Sequence, residues 1–118
     1  MTVPPRASLL LAALVLASCA AGPQPRSAAD AGPAAAVADP ARFQGQRAEW
    51  GGQIVAVQNL RNRTEVEVLA YPLDSSGRPR VSGRPLGRFI AVRSGFLEPG
   101  DFAPGRLVTV SGLVGPPR

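Results

Sequence analysis

The chain predicts an all-β fold, and three observations carry that reading. From Arg63 to Tyr71 the residues alternate strictly: Thr64, Val66, Val68 and Ala70 against Glu65, Glu67, Leu69 and Tyr71. Period two over this length marks a half-buried strand. Beyond Phe43 no segment carries an apolar stripe of helical period over the length of a helix. The apolar runs are instead separated by turn formers at Asn59 to Asn62, Asp74 to Pro79, Pro99-Gly100 and Pro104-Gly105.

The elements follow in order. Arg47 to Val57 reads as a first strand, with Trp50, Ile54 and Ala56 on one face and Val55 and Val57 on the other. Gly51-Gly52 in its middle points to a bulge or sharp bend, because glycine weakens a straight strand and admits strained dihedrals. The polar turn after it makes a hairpin with the strand Arg63 to Tyr71. Pro72 to Pro85 is a loop. Leu86 to Arg93 returns to strand, with Phe89 and Ala91 opposite Ile90 and Val92. Phe96 to Gly105 is a second connection with room for one helical turn at Pro99 to Phe102. Leu107 to Val114 is a fourth strand. A bent meander, a loop and one more strand fit a small OB-like antiparallel barrel. Four strands leave closure incomplete, because such barrels close with about five or more. Either an edge stays exposed, the stretch around Phe43 adds a strand, or another chain does.

The N-terminal third has a different character. Arg6 precedes Ala7 to Ala17, eleven residues that are apolar except for Ser8. A spanning helix needs ~20 apolar residues, whereas the apolar core of a secretory leader needs ~7–15. The run ends at Leu16-Ala17-Ser18-Cys19, which resembles the lipobox of a bacterial lipoprotein signal peptide. There the cysteine receives a diacylglycerol and becomes the mature N-terminus. The expected organisation is a lipoprotein signal peptide at 1–18, a lipidated N-terminus and Ala/Pro/Gly-rich linker at 19–42, and a β-domain at 43–118. Ala20 to Pro40 has almost no large apolar side chains. It therefore reads as a flexible tether, and the folding unit is one small domain with a thin core. The other reading of the leader is a plain secreted protein with Cys19 incidental.

Composition narrows the chemistry. The chain has 13 basic residues, all arginine, against 8 acids and no histidine. Cleavage after residue 18 would leave twelve arginines and a net charge of +4. The leader argues for an envelope location and against nucleic acid, so the accessible anions are lipid phosphates and acidic saccharides. Without histidine there is no imidazole base, no imidazole metal ligand and no Ser-His-Asp triad. A single cysteine offers no intrachain disulfide and no metal cluster. Glu65 and Glu67 share a face but read as a solvated edge, and Asp74-Ser75-Ser76 reads as a turn capping its own backbone. No catalytic residue, no metal site and no cofactor are expected, and the chain does not read as an enzyme.

Trp50-Gly51-Gly52-Gln53-Ile54, the tract from Glu67 through Tyr71-Pro72-Leu73-Asp74-Ser75-Ser76-Gly77-Arg78-Pro79, and Gly87 to Ala91 together resemble the Slp family of outer-membrane lipoproteins. Gly95 to Pro99, Gly105 to Val110 and Gly112 extend the likeness, which covers roughly residues 37 to 115 in order. The resemblance implies a lipid-anchored protein on the inner leaflet of the outer membrane, facing the periplasm. It implies an association with starvation and stationary phase and no established enzymatic activity. Ala20, in place of the aspartate that retains lipoproteins in the inner membrane of enteric bacteria, is compatible with outward sorting. Family members usually continue past Gly112 with further strand sequence, which leaves barrel closure open here.

Two functional expectations follow. The first is a structural or interaction lipoprotein of the envelope, held to membrane lipid through acylated Cys19, with an envelope protein or saccharide as partner. The second is a periplasmic binding module gripping an oligosaccharide, a peptidoglycan fragment or an anionic lipid. Its candidate ligand face is Tyr71, Arg78 and Arg88, with Tyr71 chosen because it shares a face with Glu65 and Glu67. An aromatic and arginine cluster on one face would favour the second; burial of all the aromatics would favour the first.

Overall fold

The alternating segments form one antiparallel sheet in the computed structural model, which describes residues 28–118. Its strands are β1 (Arg47–Asn59), β2 (Arg63–Tyr71), β3 (Arg88–Ser94) and β4 (Leu107–Leu113). Their spatial order is β3-β2-β1-β4, and the sheet curls into an OB-like half-barrel. The leader and Cys19 lie outside the described residues.

β2 behaves as its pattern demands. Thr64, Val66, Val68 and Ala70 are buried, and the residues between them are half-buried. Pairing aligns Val66 with Ala91 and Val68 with Phe89 on one side, and Val68 with Ile54 on the other. One core cluster therefore holds Ile54, Val66, Val68 and Leu97, with Val57, Phe89, Phe102 and Val108 packed around it. Thr64 is the one buried polar residue among those described. Its single hydroxyl proton lies between two acceptors, Asn59 Oδ1 and the Gly95 carbonyl at 2.6 Å. Leu97 N–H also donates to Asn59 Oδ1. These bonds pin the β3–β4 connection over one end of the core. Within that connection Asp101 and Phe102 N–H both reach the Glu98 carbonyl, giving the expected single turn.

The irregularity in β1 falls at a different place from the one the glycines suggest. Gly51 and Gly52 pair regularly with Tyr71 and Ala70, and the register shifts between Ile54 and Ala56. The extra residue at Val55 reverses the faces beyond it. Val57 thus aligns with Val66 and joins the core, while Ala56 is exposed. The glycines serve another purpose: the two neighbouring strands approach too closely at this point for a side chain.

The larger departure lies in the stretch expected as a linker. It contains helices α1 (Ala28–Ala38) and α2 (Pro40–Phe43). α1 breaks at Gly32, whose φ of 80° is the left-handed region, and restarts at Pro33. Phe43 sits in α2 rather than in an added strand. Ala36 and Phe43 are buried together with Ala48, against Trp50 and Val114. Ala34 N–H donates to the Leu86 carbonyl at 3.0 Å. The segment has few large side chains to bury. It docks by close approach: alanine is the best helix former, and its methyl groups meet Gly87, where a Cβ would come within 3.0 Å of Ala34 Cβ. The helices thus cover one end of the curled face, and the β3–β4 connection covers the other.

Candidate functional site

Between those two covers the curled face stays open. The opening is a trough of about 620 Å³, bounded by β3 at 88–92, by β4 and the residues after it at 110–118, and by α1 at Pro33, Ala36 and Val37. The volume falls in the ~300–1,000 Å³ range of small-ligand clefts. Strand register explains its floor. Trp50 aligns with Val110, Ala48 with Gly112, and Phe89 and Ala91 follow on β3. Trp50 and Phe89 meet with ring centroids 5.5 Å apart at a tilt of 59°, a favoured aromatic geometry. In a closed barrel these residues would be core. Here Trp50, Phe89 and Ala91 are half-buried, while Ala48 is buried against Ala36 and Phe43.

The rim is charged. Arg88 lies 3.7 Å from Glu67, an exposed pair that contributes little. Arg118 reaches Glu65 on β2 with two parallel bonds, of 2.8 and 3.0 Å, and Arg63 adds a third at 3.0 Å. This fork geometry is what guanidinium and carboxylate favour. Residues 115–118 thereby span the open side. The two arginines, Arg118 first, hold the Glu65 carboxyl down at a pKa of about 2 against the opposing effect of burial. Asp74 is also lowered, by the backbone N–H of Arg78 and by both the hydroxyl and N–H of Ser76. That is the self-capping turn expected from its sequence.

The Glu65 contact has a defined acid signature. Its carboxyl titrates lower in the folded chain than in the unfolded one, so falling pH protonates the unfolded state first and favours it. The contribution is complete above a pH of about 4.5 and is lost as pH falls toward 2. Melting temperatures of wild type and Arg118→Ala, taken through this range, should differ at neutral pH and converge near pH 2. A difference that stays constant with pH would mean that Arg118 acts through packing alone.

The residues expected on a ligand face are not gathered by the trough. Arg88 is on its rim, while Tyr71, half-buried at the end of β2, and Arg78, in the loop beyond it, are not part of its lining. That loop folds over the opposite face, where the Thr109 hydroxyl donates to the Gly77 carbonyl at 2.8 Å. Trp50, Phe89 and Arg118 line the trough together with Arg88. Alternation puts Trp50 on the core face, but only the tertiary structure shows which half of that face stays open. Nothing in the sequence pairs Arg118 with Glu65. Among the described residues, no group of three or more His, Cys, Asp or Glu could hold a metal ion.

These features define a small curled β-domain with one open, apolar, charge-rimmed side. The chain belongs to the outer membrane lipoprotein Slp family, whose model matches residues 16–118. It is similar to the uncharacterized lipoprotein YeaY of Escherichia coli K12, at 45% identity over 75 residues, which is 64% of this chain and 38% of that protein. It is 35% identical over 75 residues to the outer membrane protein Slp of the same strain, covering 64% of this chain and 39% of the relative. A Haemophilus influenzae Rd protein without assigned function is 43% identical over 63 residues, 52% of this chain and 34% of that one. The chain thus spans under two-fifths of the length of these relatives. No solved structure matches it. It is an outer-membrane lipoprotein of the cell envelope.

Proposed function

We propose that this chain is a tethered interaction module: acylated at Cys19, facing the periplasm, and presenting the trough to an envelope partner. The observation that carries the tether is Leu16-Ala17-Ser18-Cys19 at the end of an apolar run. The family match begins at Leu16, so it includes this tetrapeptide. Two acyl chains give durable membrane attachment where one would be marginal, at ~0.8 kcal/mol per buried methylene. The segment between Cys19 and the first helix sets the reach of the β-domain. A role under starvation, implied by the resemblance, belongs to the same proposal. The test is the intact mass of the protein extracted from separated outer and inner membranes. Residues 19–118 plus acyl groups, in the outer-membrane fraction, are expected. An unmodified mass in the soluble fraction would overturn the tether.

The trough also supports a second reading, a module that binds an oligosaccharide. The tilted Trp50–Phe89 pair beside Arg88 supplies an apolar surface and a hydrogen-bonding rim on one side of the molecule. This partly meets the aromatic and arginine criterion set by the sequence.

A further inference from the structure

Among the described residues β3 and β4 are the outer strands of the half-barrel, and they differ in a way that bears on association. β3 is guarded: Arg88 and Arg93 sit near its two ends, and charges on an edge discourage pairing with other chains. β4, Leu-Val-Thr-Val-Ser-Gly-Leu, carries no charge and no proline, and its register with β1 shows no bulge. Val114 N–H donates to the Gln46 carbonyl, and Ile54 N–H donates to the Arg106 carbonyl. In an antiparallel ladder alternate residues bond to the same neighbour. The even-numbered residues of β4 therefore bond to β1, and the backbone groups of Leu107, Thr109, Ser111 and Leu113 point off the edge. Leu107 is 52% and Leu113 70% exposed. The trough runs beside this edge.

We propose that β4 is the surface through which two copies of this chain associate, their β4 strands antiparallel about a two-fold axis at Val110. β4 is self-complementary about that residue. Leu107 falls opposite Leu113 and Thr109 opposite Ser111 on one face; Val110 meets its own copy on the other, flanked by Val108 opposite Gly112. Apolar pairs and a Thr–Ser pair are favoured cross-strand partners, and no like charges come opposite one another. The outward N–H and C=O groups of each strand meet those of the other. The same operation on β3 would place arginines near each end of the joint on both copies. Pairing through β4 does not depend on acylation, so it stands apart from the tether.

The test uses the full chain in its membrane. At the axis, opposed residues form a non-hydrogen-bonded pair with Cα atoms ~4.5 Å apart, within disulfide range. Val110→Cys should therefore oxidise to a covalent dimer. Leu107→Cys should not, because its own copy lies about 20 Å away along the strand, six residues at ~3.4 Å each. Wild type, whose only cysteine is Cys19, reports separately whether that thiol is blocked. In sedimentation of the extracted protein, Leu113→Arg, at a position exposed in the single copy, should weaken dimerisation at least tenfold. A Val110→Cys protein that folds but forms no covalent dimer, equal cross-linking from both cysteine variants, or a monomeric wild type would overturn the proposal. The last result would leave the edge to a peptide or saccharide.

Discussion

Gly52→Ala should lower the stability of the fold more than any other single methyl addition. A Cβ at this position would lie inside contact distance of the Leu69 carbonyl oxygen, 2.7 Å from its carbon and 2.8 Å from Ala70 Cα. All three are backbone atoms of β2, so no side-chain rotation relieves the clash. β1 and β2 would have to separate where Gly52 pairs with Ala70, beside the buried Val68. Overpacking alone costs about 1–3 kcal/mol, and a broken central ladder adds to it. The loss should reach the order of 4 kcal/mol, the upper end of single-residue effects. A small domain has only ~5–15 kcal/mol in total. Urea unfolding followed by circular dichroism is the measurement, with Gly100→Ala as control because nothing lies within 4 Å of its Cβ. A Gly52→Ala midpoint equal to that of the control would show that the two strands can part at little cost.

Cys19→Ala should remove the protein from the outer membrane without unfolding the β-domain. The thioether at Cys19 is the proposed attachment point for lipid, and alanine cannot form it. Labelling with radioactive palmitate should vanish, and the leader should remain uncleaved, because the peptidase acts after acylation in the lipobox scheme. The β-domain, whose described residues contain no cysteine, should keep its thermal transition. Unchanged labelling would sink the anchor assignment. Retention in the outer membrane without labelling would point to another attachment.

The strands were legible because their information is local. β2 alternates in chemistry as it alternates in burial, and β3 and β4 have boundaries set by neighbouring glycines and prolines. Asp74 caps its turn through atoms within four residues of it. The bulge was not legible. An inserted residue at Val55 leaves both readings of the downstream alternation equally apolar, and only alignment of Val57 with Val66 selects one. The helices were missed for a physical reason too. Composition rules weigh large apolar side chains, whereas α1 docks through methyl groups and glycines that permit close backbone approach.

The candidate site shows the same division. By itself the sequence determined the β class, the four strands, the turn at Asp74 and the family. Each rests on neighbours along the chain or on a short motif. Only the tertiary structure decided that the sheet stays open between β3 and β4, that Trp50 and Phe89 line the opening, and that Arg118 closes over Glu65. Those outcomes join residues up to 53 positions apart. They depend on how far the sheet curls and where α1 docks, quantities set by the sum of packing contacts and by no local run of residues.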